Sequence, residues 1–431
     1  MQNDTPRDPV RSEAKRSSLA PVIAIIAVVV AAAAPRSTPF MLLLLGGTIV
    51  ALGAATARTV AWRPLPHLVL AFAVLCGYLA LNSMWSVVPL TGLSRALLLA
   101  LIVAMGLAVA RVLPILADED ADRLQLAIVY AASIAALFLT IETAFDQPIR
   151  RFVVSCIPIL QPAPKHMDVA DGWVTNINLY TLNRNLAFLN LILWPTLLLL
   201  KSRMPQGKAW LAGAVLLILS AIATFHSDHE TSMIALPVAC LVFVGILLAR
   251  AVTRSLVIAG WLAATLLVVP AANFAHERGL HRVDWLPESA RNRIVLWNVT
   301  ADRMVESPVF GIGIESTKPL DQRAAPNAPR EPGDTYAQRT GRHAHNVFMQ
   351  TWFELGAIGA MLLLVVGLTA LRAMMRLPAM DQSFAFASFA STMVLASFSW
   401  GVWQPWFMCA FGLWSVILLI AFDASRRARA E

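Results

Sequence analysis

The sequence has 431 residues, of which 58% are hydrophobic and 14% are charged. Soluble domains carry about a quarter charged residues, so this composition excludes an ordinary soluble protein and indicates an integral membrane protein. The formal net charge of +8 would also suit nucleic acid, but basic residues in a membrane protein set the orientation of its loops, and we expect no nucleic-acid partner.

Twelve apolar runs are long enough to cross about 30 Å of hydrocarbon. We therefore predict an all-α integral membrane protein with about twelve transmembrane helices. They are placed near 19–34, 40–57, 65–83, 94–112, 123–144, 184–200, 209–226, 232–250, 253–273, 346–371, 383–400 and 403–423.

Basic residues orient this predicted bundle. The short loops on one side each carry at least two, such as Arg58 with Arg63 and Arg372 with Arg376, and the positive-inside rule makes that side cytoplasmic. Both termini are then cytoplasmic. The predicted segments are a tail at 1–18, helices one to nine at 19–273, a large periplasmic loop at 274–345, helices ten to twelve at 346–423, and a tail at 424–431.

The large loop contains one predicted helix. Residues 290–306, "ARNRIVLWNVTADRMVE", place Ile294, Trp297 and Met304 at roughly helical spacing, which is typical of an amphipathic helix on a membrane surface. The following "SPVFGIG" indicates a turn, and residues 318–342, rich in Pro, Arg and Asp, predict an irregular loop.

Two clusters of polar residues lie at predicted outer helix ends. "NSMWSVVP", Asn82 to Pro89, can be a Trp anchor at the membrane interface followed by a turn. "YTLNRNLAFLN", Tyr180 to Asn190, places Arg184 at the start of a helix, where free N–H groups and a guanidinium suit an anion. An ordinary capped helix end with a snorkelling arginine is an equal alternative.

A third cluster, "TFHSDHETS", joins two predicted helices and contains His226 and His229. These two side chains can face the same way, as in a zinc site, but a second pair of ligands at diagnostic spacing is missing. Solvation of an ordinary loop is the alternative. We predict no metal site and no cofactor.

The fourth cluster precedes and opens the tenth predicted helix. Asn346, Gln350 and Glu354 recur every four residues on one face, and such a stripe must face protein or a water-filled cavity. Hydrogen bonding between helices is the alternative. The other members are Arg291, Arg293, Trp297, Arg339, Arg342, His343 and His345.

These residues together predict an outward-facing cavity lined by arginine, histidine and carboxylate. Arginine, including Arg291 and Arg342, suits a phosphate group, and a neutral histidine can accept a proton near physiological pH. The chemistry that fits is group transfer from an anionic lipid donor.

The order of four motifs resembles the O-antigen ligase and polymerase superfamily of bacterial polytopic enzymes. The motifs are "WSVVP", "LNRN", "RIVLW" followed by "ESPVFGIG", and "HAHNVFMQTWFELGAIG". The resemblance implies a metal-independent, inverting glycosyltransferase in the bacterial inner membrane, with its site facing the periplasm. Its donor would be an undecaprenyl-diphosphate-linked glycan among the membrane lipids, and its acceptor lipid A core or another glycan.

The resemblance also implies roles for individual residues. His345 would be the catalytic histidine, and Arg293 and Arg184 would hold the diphosphate. Asn346 and Glu354 would support the site, with His343 beside them. Family members often carry a Ser-Arg pair where this chain has "HSDHETS", so His226 or His229 would replace that arginine or the diphosphate is held elsewhere.

Other functions fit the same sequence less closely. A polymerase would join lipid-linked repeat units and differs from a ligase only in its acceptor. A flippase of lipid-linked sugar would be expected to place charge near the middle of the membrane in two related halves. A scaffold without catalysis would have a degraded site.

Overall fold

The computed structural model describes residues 9–55, 65–330 and 335–430. Within these ranges the chain forms α-helices, short 3-10 turns and one two-stranded sheet. The first six helices are α1 Pro9–Ala33, α2 Thr38–Ala55, α3 His67–Asn82, α4 Pro89–Val112, α5 Asp118–Ala144 and α6 Pro148–Cys156. The strands β1 Met167–Ala170 and β2 Trp173–Ile177 follow. The remaining helices are α7 Asn183–Arg203, α8 Gln206–Phe225, α9 Glu230–Leu248, α10 Arg250–Leu266, α11 Val268–Glu277, α12 Glu288–Arg303, α13 Thr317–Ala324, α14 Val347–Met374, α15 Ala379–Phe398 and α16 Pro405–Arg427.

A helix occupies each of the twelve predicted positions, so the all-α membrane architecture is confirmed. In the described ranges nine helices are long and apolar enough to cross a membrane, or ten if α10 and α11, bent by 71°, form one span. The apolar part of α1, Leu19–Ala33, is shorter. Helix α15 is largely buried among other helices and carries Asp381, Gln382 and several serines, so its surface need not be apolar. The count of twelve spans stays a prediction.

Helix α7 lies at the centre of the bundle. Every residue from Asn185 to Leu200 is buried, as expected of a helix that is surrounded on all sides. It packs against α1, α5, α8, α15 and α16. These helices surround α7, so its buried part has no face toward lipid.

Ion pairs join several helices at one end of the bundle. The buried carboxylate of Asp381 accepts from Arg429 Nη1 at 2.7 Å and lies 3.7 Å from Lys201 Nζ. Arg203 pairs with Asp122 at 2.7 Å. These basic residues share one end of the bundle, as predicted. The predicted loop residues Arg58 and Arg63 lie outside the described residues, and so do residues 1–8 of the N-terminal tail. The cytoplasmic side stays a prediction.

The segment between α5 and α7 contains structure that the sequence analysis did not predict. Helix α6 packs on the antiparallel hairpin β1–β2. The hairpin turns at Asp171 and Gly172, both with positive φ, and an Asp-Gly pair is the usual signal for such a turn. Gln147 Nε2 donates to Ile177 O at 2.5 Å and connects the hairpin to the end of α5.

The predicted amphipathic helix at 290–306 is confirmed as α12 with one further turn, Met304–Glu306. Its apolar residues Leu296 and Met304 form a cluster with Ala272 of α11 and with Met349 and Phe353 of α14. The expected position of this helix against the membrane surface stays a prediction. The bend after α10 brings α11 under α12, so protein covers much of its apolar face.

The prediction of an irregular loop at 318–342 is wrong for its first part, which forms α13. The Asp321 carboxylate is fully buried there and accepts from Arg339 Nε at 2.9 Å. A tertiary contact of this kind stabilises a short helix that local sequence does not predict.

Candidate functional site

The loop at residues 307–316, here called the clamp loop, pairs with α14 where that helix is broken. Ile312 N donates to Phe353 O at 3.1 Å and Gly313 N donates to Glu354 O at 2.9 Å. In return, Ala357 N donates to Pro308 O at 2.9 Å. These bonds satisfy backbone groups that the break in the helix leaves unpaired.

Glycines make this close approach possible. Gly356 has φ 66° and ψ −166°, which interrupts α14. A Cβ on Gly356 would lie 2.3 Å from Val309 O, and a Cβ on Gly311 would lie 2.3 Å from Glu354 O. The motifs "SPVFGIG" and "FELGAIG" are therefore two halves of one backbone contact.

The cluster "NSMWSVVP" holds the other side of the clamp loop. Asn82 Nδ2 donates to Phe310 O at 2.9 Å, and Asn82 Oδ1 accepts from Ile314 N at 2.7 Å. Ser86 Oγ donates to Ile314 O at 2.6 Å. Trp85 meets Phe310 edge to face, with ring centroids 6.1 Å apart. This cluster positions a loop, which is more than an interfacial anchor does.

The carboxylate of Glu354 is fully enclosed below the clamp loop. It accepts from Thr317 Oγ1 at 2.6 Å, from Glu315 N at 3.1 Å and from Trp403 Nε1 at 2.5 Å. Gln350 Nε2 adds a bond at 3.3 Å. Glu354 thus joins the loop, α14 and the segment before α16, and it is placed to support a site rather than to touch a substrate.

The polar stripe of α14 faces protein, as predicted. Asn346, Gln350 and Glu354 are all buried. Asn346 Oδ1 caps the helix by accepting from Phe348 N at 2.9 Å and Met349 N at 3.0 Å, which satisfies two free donors of the first turn. Gln350 Oε1 accepts from Val402 N at 3.1 Å. The stripe is used for hydrogen bonds between elements, the alternative left open by the sequence.

His345 precedes this cap with its backbone in the left-handed region, at φ 54°. Its Nδ1 lies 2.5 Å from Ser399 O. A carbonyl oxygen can only accept, so Nδ1 carries the hydrogen and the neutral ring presents the lone pair of Nε2. His343 lies beside it, with ring centroids 4.1 Å apart.

Arg293 of α12 is the charged group that acts on three histidines, His229, His343 and His345. Burial is the main reason that the pKa values of His229, His343 and His345 are all lowered, and the Arg293 charge adds to each shift. The pKa falls to about 3 for His229 and for His343. Burial also lowers the pKa of Arg293 itself, and the Glu230 carboxylate opposes that shift. The lowered pKa values favour the neutral form of all three histidines beside Arg293.

The turn that contains His226 and His229 separates these two histidines. His229 is buried, stacks on Trp400 at 5.2 Å between ring centroids, and has its Nδ1 2.7 Å from Ser232 Oγ. His226 is exposed, and its Nδ1 lies 3.0 Å from Ile222 O in its own helix. Only His229 lies with Arg293, His343 and His345.

The other predicted arginines are placed differently. Arg184 opens α7 with its guanidinium carbon 5.4 Å from the centroid of the Trp406 ring. Arg342 is exposed, next to His343 in the chain. Arg291 lies 3.4 Å from the Asp284 carboxylate, so its charge is already partly balanced.

The sequence analysis missed the segment between α15 and α16. Ser399 provides the oxygen for His345, Trp400 stacks on His229, and Trp403 and Trp406 contact Glu354 and Arg184. The signal was present as "SWGVWQPW", three tryptophans within seven residues. Among the described residues no group of three or more His, Cys, Asp or Glu could hold a metal ion.

Residues 182–364 match the family model described as O-antigen ligase. This match covers Arg184, α12, the clamp loop and His345. Three relatives from Rickettsia, each named as a proposed polysaccharide ligase, are similar over a longer stretch. The protein of Rickettsia conorii is 23% identical over 247 residues, which are 57% of this chain and 58% of the relative. That of Rickettsia prowazekii is 22% identical over 57% of this chain and 59% of the relative. That of Rickettsia bellii is 24% identical over 57% and 59%.

The match therefore spans about three fifths of the length of these relatives. It confirms the resemblance that the motifs predicted.

Proposed function

Since this chain is similar to the O-antigen ligases through the part that contains His345 and Arg293, we propose that it is a glycosyltransferase that ligates a polysaccharide. The donor is a glycan on undecaprenyl diphosphate, and the acceptor is a hydroxyl of lipid A core or of a similar glycan. The site faces the periplasm of the bacterial inner membrane. The observation that carries the proposal is the neutral His345 beside the half-buried Arg293.

The reaction is one displacement at the anomeric carbon. The acceptor oxygen forms a bond to C1 of the donor sugar while the bond from C1 to the diphosphate oxygen breaks. The hydroxyl proton goes to Nε2 of His345, and the bonding electron pair leaves with undecaprenyl diphosphate. A single displacement inverts C1.

Two features of the site support these roles. The bond to Ser399 fixes His345 in the tautomer whose Nε2 can accept a proton, and a positioned base contributes about 10²–10⁴-fold in rate. Arg293 can offset the negative charge that grows on the leaving diphosphate. No ion pair of Arg293 with a carboxylate lies within 4 Å among the described residues, which keeps its charge available for a substrate.

Arg184, Arg291 and Arg342 are proposed as further donor contacts with unequal support. Arg342 is exposed beside His343, and Arg184 has one side on an aromatic ring. Arg291 has the weakest support because of its contact with Asp284. Asn346, Glu354, His343 and His229 hold the site in place, whereas the exposed His226 has no such contact.

The test is transfer of glycan in a deletion strain complemented with His345→Asn. Asparagine tolerates the left-handed backbone better than most residues, and it removes the base. We expect transfer to fall at least about 100-fold, with lipid-linked glycan accumulating while the variant reaches the membrane in normal amount. His67→Ala is the matched control, because His67 is exposed at the start of α3, away from this site.

Separating the products distinguishes the related functions. Glycan linked to lipid A core, free polymer and undecaprenyl-linked glycan are measured separately. Long accumulated chains support the ligase, and single repeats indicate a polymerase. Transfer at the wild-type level by His345→Asn contradicts the proposed role of His345 and favours transport or a scaffold.

A further inference from the structure

Arg184 lies in a niche beside Trp406, and no carboxylate of the described residues pairs with its charge. Its guanidinium packs over the Trp406 ring. Its Nε is buried and has no hydrogen-bond partner in the described part of the chain. An unpaired buried donor on a cation costs free energy, so an acceptor from outside the protein would stabilise this arrangement.

The turn between α1 and α2 places a second arginine beside it. On one side, Asn185 Nδ2 donates to Ala32 O at 2.7 Å and to Ala33 O at 2.8 Å. On the other side, Thr38 Oγ1 donates to Trp406 O at 2.6 Å. Arg36 lies between these two anchors.

The turn is thus fixed both to the neighbour of Arg184 and to the aromatic residue under Arg184. The turn contacts both α7 and α16, and the Arg36 side chain is exposed there.

Two adjacent arginines without a carboxylate are unfavourable unless an anion joins them. Neither Arg36 nor Arg184 forms an ion pair with any residue in the described ranges. In the proposed orientation Arg36 is also on the outer side, where short loops of membrane proteins contain few basic residues. A basic residue at position 36 therefore indicates a specific function.

We propose that Arg36, Arg184 and Trp406 form a phosphate-binding subsite, with Arg36 as a binding residue that the motifs do not predict. The inference rests on the proposed function for the identity of the ligand: a phosphate of the donor's diphosphate or a phosphate on the acceptor. Trp400 connects this subsite to the histidines, since its ring centroid lies 4.8 Å from that of Trp406 and 5.2 Å from that of His229. The subsite and His229 thus share Trp400 as a neighbour.

The experiment measures binding to the full-length protein in nanodiscs. Undecaprenyl diphosphate and monophosphoryl lipid A are the two probes. We expect Arg36→Gln to weaken binding of one probe about tenfold, which corresponds to the loss of one charged hydrogen bond. Arg36→Lys should lose less because it keeps the charge. Arg323→Gln is the matched control, since it removes an exposed arginine from α13, outside the niche.

Each result of the binding experiment identifies the ligand or tests the subsite. Weaker binding of undecaprenyl diphosphate assigns the subsite to the donor, and weaker binding of monophosphoryl lipid A assigns it to the acceptor. If Arg36 and Arg184 hold one phosphate, Arg36→Gln combined with Arg184→Gln weakens binding by less than the product of the single effects.

Wild-type binding of both probes by a folded Arg36→Gln protein overturns the subsite. A wild-type protein that binds the probes through Arg36 but transfers no glycan would overturn the proposed function and leave the subsite standing.

Discussion

The ring of His345 is oriented by one carbonyl oxygen and surrounded by groups that disfavour its protonation. Ser399 fixes the hydrogen on Nδ1, while burial and Arg293 keep the ring neutral. The backbone of His345 is left-handed, a conformation that costs free energy in a residue other than glycine. A strained residue with a fixed tautomer, next to a half-buried cation, is typical of functional sites.

The pH dependence of transfer follows from these surroundings. Burial lowers the pKa of His345 below 6.5, the Ser399 bond opposes this, and Arg293 lowers it further. A base acts only when unprotonated, so kcat/KM falls as the pH drops through this pKa. We expect the midpoint of the acid limb to lie below pH 6.5.

Removing the Arg293 charge should raise the pKa of His345. Arg293→Gln should therefore move the midpoint of its residual activity to higher pH, whereas Arg323→Gln should leave the midpoint in place. A wild-type midpoint above pH 6.5, or an Arg293→Gln profile at the wild-type position, contradicts this account.

Glu354 tests whether a buried carboxylate has a supporting role. Glu354→Gln puts an amide N–H₂ among groups that already donate, including Thr317 Oγ1 and Trp403 Nε1. We expect a loss of about 1–3 kcal/mol in the free energy of unfolding, seen as a lower thermal midpoint in detergent and faster proteolysis of α13.

The exposed Glu306 provides the comparison, and Glu306→Gln should change neither quantity. Normal stability of Glu354→Gln with complete loss of transfer would instead indicate that Glu354 takes part in the reaction.

At the level of elements, the clamp loop and the broken helix α14 form one unit. Gly356→Ala introduces a Cβ 2.3 Å from Val309 O in a backbone region that L-residues avoid,. We expect the loop to detach, with loss of transfer and a lower thermal midpoint.

Gly106→Ala in α4 is the matched control, since its Cβ meets nothing within 4 Å. It should leave transfer intact. A Gly356→Ala protein with wild-type stability and activity would show that the loop contact is dispensable.

The elements predicted from sequence are those with a strong apolar period or run. Every predicted span is helical, and α12 was recognised from Ile294, Trp297 and Met304. Helix α13 was missed because its stability depends on the distant pair Asp321–Arg339. The hairpin at Asp171 and Gly172 was missed although its turn signal is local.

Only part of the site was predicted, because local sequence patterns show motif residues but not tertiary contacts. His345 and Arg293 stand in motifs, and His229 was separable from His226 only by burial. Ser399 and the tryptophans near it act through tertiary contacts that no spacing in the chain encodes. Arg36 lies in a three-residue turn that carries no motif of its own.

At the scale of the whole molecule, one cluster of ion pairs lies at one end of the bundle and the candidate chemistry lies at the other. Asp381, Arg203 and Lys201 lie at the first end, and the histidines and Arg293 lie at the second. Helices that are fixed at one end give the other end a rigid frame, which holds catalytic groups more precisely than loops alone do. The loops of the candidate site are in turn held by backbone bonds to α14.

The complete burial of α7 also has a consequence for biogenesis. Two of its neighbours, α15 and α16, are the last helices of the described chain to emerge from the ribosome. Until they do, α7 must expose to lipid or to the insertion machinery the face that they later cover. Helix α8 enters before α15 and α16, so the Asn190 amide can donate to Thr224 of α8 at this stage. One polar contact of α7 therefore forms early. Ser399 and Trp406 come with α15 and α16, so the candidate site is completed only after these two helices enter the membrane.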